Sequence, residues 1–200
     1  KPIIPDNESA RLKALSEYRI LGTKPERSYD DITAIASLVC GTPIALLSLV
    51  DAERQWFKSK VGVNVDETPR DWSFCAHAIH TPDPLIVHDA LWDERFHDNP
   101  LVCGDPKIRF YAGFPLTNDT QERIGTLCVI DRQPKHLSEN QLAIMTALAR
   151  QVMAFLEGKL ARMKQPRIID FHDRLPREDT GKVFKPRLRA PYWEKAGRKI

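Results

Sequence analysis

No apolar run in this 200-residue chain approaches the roughly 20 residues a helix needs to cross a bilayer. Its start also lacks the charged-then-apolar layout of a secretory signal, so no membrane association is expected and a cytoplasmic location is. Cysteine is scarce: Cys40, Cys75, Cys103 and Cys128 lie far apart and form no CxxC pair. That spacing fits reduced thiols rather than a disulfide framework or a zinc knuckle. A strong charge of one sign is missing as well, the formal net charge being +3. Residues 1–164 carry 20 basic and 22 acidic side chains, and residues 165–200 carry 10 and 5, so the basicity belongs to the tail. The tail has no glycine-rich or aromatic-interleaved repeats, and nucleic acid is not an expected partner. An initiator methionine is missing too. Lys1 stands in its place, and the chain is expected to be a fragment or a trimmed product.

What is present suits one domain with an appendage. Residues 7–21 place Ala10, Leu12, Leu15, Tyr18 and Leu21 at near-helical spacing, with Asn7 or Ser9 as N-cap and Gly22 as the stop. Residues 29–40 repeat the pattern with Ile32, Ile35, Ala36 and Val39. The run IALLSLVD, residues 44–51, is short and apolar and predicts a buried strand, with a turn into a second strand over 55–61. Residues 84–89 predict a brief strand, and 92–102 a loop with one helical turn near 93–97. In IRFYAGFPL, residues 108–116, Phe110, Ala112, Phe114 and Leu116 share one face and Arg109, Tyr111 and Gly113 the other. In RIGTLCVID, residues 123–131, Thr126 and Cys128 oppose Leu127 and Val129, and this strand is expected beside the previous one. Residues 138–163 form the strongest helix. Ser138 and Gln141 make a capping box, and Leu142, Met145, Leu148, Val152, Phe155, Leu156, Leu160 and Met163 form a stripe. A stripe of that length either packs on its own sheet or continues into a partner helix, and a helical homodimer is the expectation. Consecutive strands between flanking helices, without helical crossovers, predict an α+β fold with an antiparallel sheet.

Chemistry concentrates in TPRDWSFCAHAIH, residues 68–80. Cys75 and His77 suggest a nucleophile and a base, which must come within hydrogen-bond reach. At i and i+2 they diverge on a helix and share a face on a strand, so the spacing leaves this open. Cys75, His77 and His80 as metal ligands lack a common zinc spacing and a fourth partner, so no metal is expected. The remaining reading is the wall of a pocket. Arg109 and Tyr111 share a strand face, and Trp72, Phe74, Cys75 and His77 can close over it to make a mixed site for a small polar or anionic ligand. Alternatively, Arg109 pairs with Asp71 or Asp89 while Tyr111 and Trp72 fill the space. His80, His88, His97, His136 and His172 look like surface or loop residues.

Five blocks, ALSEYRIL, PIALLSLVDAERQWFKS, ETPRDWSFCAHAI, IRFYAGFPL and RIGTLCVIDRQP, together resemble a bacterial GAF sensor domain over about residues 5–164. The resemblance implies an antiparallel sheet with N- and C-terminal helices on one face and a ligand-type pocket on the other. It also implies signal sensing through a small molecule or partner, relayed by the terminal helices of a dimer to an output domain. Flanking motifs of bilin-binding and cyclic-nucleotide-binding members are missing, and neither bilin nor haem is expected; the cofactor is unknown. Residues 165–200, a basic tail not expected to be an independent domain, contain DRLPREDTGKVFKPRLRAPYWEKAGRKI and resemble the C-terminal end of acyl-CoA synthetases and related adenylate-forming enzymes. By that resemblance Lys182 matches a lysine placed against the acyl phosphate. No nucleotide domain accompanies it, so no catalytic activity is expected of this chain alone. The alternative is a fragment of such a ligase fused to the sensor domain.

Overall fold

The computed structural model describes residues 1–164, with side chains as far as 161, and Ala190. The tail resemblance, with Lys182 and His172, lies outside the described residues. Helices α1 (Glu8–Glu17) and α2 (Arg27–Cys40) precede strands β1 (Ile44–Val50), β2 (Arg54–Val61) and β3 (Glu67–Pro69). A 3-10 turn (Arg70–Trp72), helix α3 (Phe74–Ala78), strand β4 (Leu85–Val87) and helix α4 (Pro100–Cys103) follow. Strands β5 (Phe110–Thr117) and β6 (Arg123–Asp131) and helix α5 (Glu139–Lys164) complete the order.

The strands form one six-stranded sheet in the order β3-β2-β1-β6-β5-β4, and every neighbouring pair is antiparallel. Strand alternation divides the core in two. Leu47, Leu49, Phe114, Leu127 and Val129 meet Tyr29, Ile32, Met145, Val152 and Leu156 from α2 and α5. Leu46, Tyr111, Cys128 and Ile130 on the opposite face meet Phe74, Cys75, Ile79, Phe96 and Val102. The expected layers, helices on one face and a covered pocket region on the other, are those observed.

Local departures have physical causes. Helix α1 ends at Glu17 rather than continuing to Leu21, with Arg19 at φ 48, a turn that sends the buried Tyr18 and Ile20 into the core. Its inner face carries Arg11 and Leu15 in place of the expected Ala10, because Arg11 finds Glu8 and the Val50 carbonyl as partners. Helix α2 stops where Gly41 adopts φ 58, a conformation that glycine tolerates without strain. Ile35, expected on its buried stripe, is exposed. The α5 capping box forms: Ser138 N–H donates to Gln141 Oε1 at 2.8 Å, and Gln141 N–H donates to Ser138 Oγ at 3.3 Å. Met145, Val152 and Leu156 are buried in the chain's own core, with Leu142, Leu148, Phe155 and Leu160 packed against it. To that extent the stripe is satisfied within the chain.

Candidate functional site

The cover over the second face is held by a glutamine. Gln55, buried on β2, accepts hydrogen bonds from Ser48 Oγ (3.3 Å) and Ser73 Oγ (2.5 Å), and its Nε2 donates to Thr68 Oγ1 (2.6 Å). Ser73 is also the N-cap of α3, its Oγ accepting the Ala76 N–H at 2.9 Å. One amide thus fixes where β3 ends and α3 begins. Asn99 joins the other half of the cover to it, Nδ2 donating to the Trp72 carbonyl at 3.0 Å. Arg123 secures the far end of α3 through the Ile79 and His80 carbonyls.

Under this cover lies a cavity of about 70 Å³ lined by Leu46, Gln55, Phe57, Phe74, Cys75 and Tyr111, among others. Its lining is almost wholly apolar, with Gln55 and Thr68 as side-chain polar contacts. Pockets that take drug-sized ligands are about 300–1,000 Å³, so this space suits a molecule of very few atoms unless the cover shifts. Larger grooves lie elsewhere. One of about 360 Å³ runs beside Pro115, Arg150 and Met153, and another of about 490 Å³ beside Trp56, Lys58 and Lys60. Both have mixed polar and apolar linings, where the 70 Å³ space is almost wholly apolar.

Of the six expected site residues, Phe74, Cys75 and Tyr111 come together at the cavity. Phe74 stacks on Phe96 with ring centroids 3.9 Å apart, and the Tyr111 hydroxyl donates to Cys75 Sγ at 3.4 Å. Gly113 makes room for that phenol: a β-carbon there would lie 2.1 Å from the Tyr111 hydroxyl. Trp72, His77 and Arg109 lie off the cavity lining. Trp72 is exposed, so Tyr111 fills space beneath the cover and Trp72 does not. His77 stands edge-on to Phe96 at 4.8 Å, on the outer side of α3. Burial, with the nearby positive charge of Arg95 adding to it, pushes its imidazole down to about 4. Arg109 donates to the Val102 (3.1 Å) and Ile108 (2.8 Å) carbonyls, where an ion pair with Asp71 or Asp89 had been one expectation. Asp71 instead meets Lys1, and Asp89 accepts the Leu91 N–H. The strand begins at Phe110, which leaves Arg109 outside the alternation that made it a partner of Tyr111.

Cys75 and His77 do not form a nucleophile–base pair, since Cys75 points to the sheet and His77 to Phe96. Cys75 Sγ lies 3.9 Å from Cys128 Sγ. Burial opposes ionisation of either thiol, but hydrogen bonds from Cys128, Ser48, Thr126 and Tyr111 draw Cys75 below the usual thiol range. The bond to Cys75 and burial together hold Cys128 well above it. Among the described residues no group of three His, Cys, Asp or Glu side chains is placed to hold a metal ion.

A cluster that sequence reasoning missed connects the cover to α1. Glu8 accepts Arg11 Nε (2.8 Å) and Nη2 (2.7 Å) and Arg70 Nη1 (2.5 Å), while Arg11 Nη1 reaches the Val50 carbonyl. Arg70 opens the 3-10 turn that leads into α3 and also bonds the Asp51 and Ala52 carbonyls. The i,i+3 spacing of Glu8 and Arg11 was a visible signal. The approach of Arg70, 62 positions further on, was not.

Comparison with known proteins agrees with this architecture. The sequence model of the GAF domain family matches residues 24–156. The chain is 42% identical over 154 residues to a cyclic di-GMP phosphodiesterase of Pseudomonas aeruginosa, which covers 76% of the chain and 26% of that protein. It therefore spans about a quarter of the length of that relative. Among solved structures, the GAF domain of a phosphoenolpyruvate-protein phosphotransferase from Coxiella burnetii aligns with a TM-score of 0.59 at 14% identity, over 80% of this chain and 98% of that one. The corresponding domain from Acinetobacter aligns at 0.56 and 16%, over 78% and 98%. These two likenesses are of fold. No helix among the described residues is long and apolar enough to cross a membrane.

Proposed function

The chain belongs to the GAF domain family of sensory regulatory modules, and from that premise we propose that it is the input part of a larger cytoplasmic signalling protein. It reads a ligand or partner at the cover of the second core and relays the change through its terminal helices. The observation that carries this reading is the Glu8–Arg11–Arg70 cluster, because it joins the turn before α3 directly to α1. A change in the cover that moves Arg70 alters the ion pairs holding α1, so cover and helix are elements that one event can bias together. The lining favours a small, largely apolar molecule with one polar group for Gln55, without a metal, haem or bilin. The output is a separate domain of the same protein; a cyclic di-GMP phosphodiesterase is the type the 42% identical relative suggests. A second copy is proposed along the helical layer, where Ile35 and Leu38 of α2 and Ile144 of α5 remain exposed. Residues 1–164 are the module in this reading. The family match ends at residue 156, and the synthetase-like resemblance of 165–200 rests on sequence alone.

The test exchanges the matching segment of the Pseudomonas phosphodiesterase for residues 1–164 and follows cyclic di-GMP hydrolysis. The exchange should preserve regulated activity, and Glu8→Gln within it should shift the rate severalfold while the hydrolytic domain stays folded. Identical rates with the segment intact, mutated or deleted would remove the sensory reading. Native mass spectrometry of the chain itself reads the dimer, which a single-chain mass at micromolar concentration would exclude.

A further inference from the structure

We propose that Cys75 and Cys128 form a peroxide-responsive thiol pair that closes into a disulfide and ties α3 to the centre of the sheet. Their sulfurs are 3.9 Å apart, and a disulfide of about 2.05 Å requires them to close by roughly 2 Å. The two sit on different elements. Cys128 is fixed in β6 between Leu46 of β1 and Gly113 of β5, whereas Cys75 lies in the first turn of the five-residue α3. The other cysteines are elsewhere: Cys40 packs in the helix-side core, and Cys103 is exposed.

The pair is supplied with what the reaction needs. Cys75 lines the 70 Å³ cavity, whose lining also includes the exposed Val65, so the cavity reaches the surface. About 10–15 Å³ accommodates a water-sized probe, and hydrogen peroxide therefore fits. The Tyr111 hydroxyl, donating to Cys75 Sγ, favours the thiolate form, which is the attacking species. Cys75 sulfur attacks one peroxide oxygen and the O–O bond breaks. Sulfenic acid forms on Cys75, and the second oxygen leaves as water with the thiol proton. Cys128 sulfur then attacks Cys75 sulfur, the S–O bond breaks, and a second water departs with the remaining proton. Two thiols lose two electrons and one peroxide gains them. The bond draws α3 toward β6 and contracts the cavity wall that Phe74 and Cys75 provide, whether or not the cavity holds a ligand.

Peroxide treatment of the full chain carrying Cys103→Ser tests this, with free thiols then alkylated by maleimide in denaturant and the peptides weighed. Cys75 and Cys128 should both disappear from the labelled pool and return as joined peptides two hydrogens lighter, reversed by dithiothreitol, while Cys40 stays labelled. In Cys128→Ala, Cys75 should stop at a sulfenic acid that dimedone captures; if that variant does not fold, the peptide map of the intact pair decides alone. Full labelling of both thiols at a peroxide dose that oxidises Cys103 in the unsubstituted chain overturns the proposal. So does a dimedone adduct on Cys75 without a cross-link when Cys128 is present.

Discussion

On the helix side of the sheet, Leu47, Phe114, Leu127 and Val129 interlock with Tyr29, Met145, Val152 and Leu156 from long helices. On the other side, Tyr111, Cys128 and Ile130 meet a cover assembled from a 3-10 turn, two helices of five residues or fewer, and loop. The first layer is mainly aliphatic and aromatic, with Cys40 and the buried Tyr29 hydroxyl as its exceptions. The second holds a cavity, two thiols and a buried glutamine. Dense apolar packing is what stabilises a domain, and each gap or buried polar group gives some of that stability up. The contrast shows a division of labour in which one face sustains the fold and the other is left adjustable. Strand β6 serves both, because adjacent residues point to opposite faces.

That alternation offers the largest test. Leu127→Ala should cost about 2–5 kcal/mol, the range for a buried leucine whose cavity cannot collapse. Its neighbour Cys128, buried to the same extent, faces the looser side, and Cys128→Ala should cost about 1 kcal/mol. Urea unfolding at neutral pH compares them through the transition midpoints at constant slope. Equal losses would erase the distinction between the faces.

The next effect lies where the two regions are joined. Burial opposes ionisation of Glu8, but the hydrogen bonds and charges of Arg11 and Arg70 prevail and hold its carboxyl down to about 2 from 4.5. A carboxylate depressed by folding contributes stability that is present above pH 4.5 and lost as pH falls toward 2. The shift corresponds to about 3 kcal/mol at most. Glu8→Gln should remove that contribution at neutral pH and leave the buried Arg11 without a counter-charge. Unfolding measured at pH 7 and pH 3 should show the gap between wild type and variant narrowing by about half or more at the lower value. A constant gap between them would mean that Glu8 acts by packing alone.

Much of the stability-bearing side could be read from the chain. Strand β6 runs over the expected residues, and the alternation in β5 placed Phe110, Ala112, Phe114 and Leu116 on one shared face, which packs against the helices. The Ser138–Gln141 box likewise marks the start of α5. These signals are local, since periodicity and capping involve residues within one turn or one strand. The adjustable side was legible only in part. TPRDWSFCAHAIH lies in the cover, and Phe74, Cys75 and Tyr111 do meet, yet Gln55 holds the cover together and carried no local signature. Trp72 and Arg109 lie off the cavity because one sits in a 3-10 turn and the other just before β5 begins, where the strand and helix periods do not apply, and His77 lies off it on the outer side of α3. Arg11 on an inner helix face is intelligible only once Val50 and Arg70 are in place.

The smallest effect separates the regions by pH. His77 is half-buried on the cover, and its imidazole is lowered to about 4 from 6.5, with burial the first cause. The unfolded chain therefore binds a proton there that the folded chain refuses. The resulting stability is intact above pH 6.5 and is lost as pH falls toward 4, a window that lies above the Glu8 window. Partial exposure and solvent screening reduce the contribution to about 1 kcal/mol. His77→Phe, which keeps a ring against Phe96, should flatten the unfolding free energy between pH 6.5 and 4.5 and leave the loss below pH 4.5 unchanged. A wild-type curve already flat in the upper window would show that the cover admits the charged imidazole by moving, and would extend the contrast between the two faces from packing to motion.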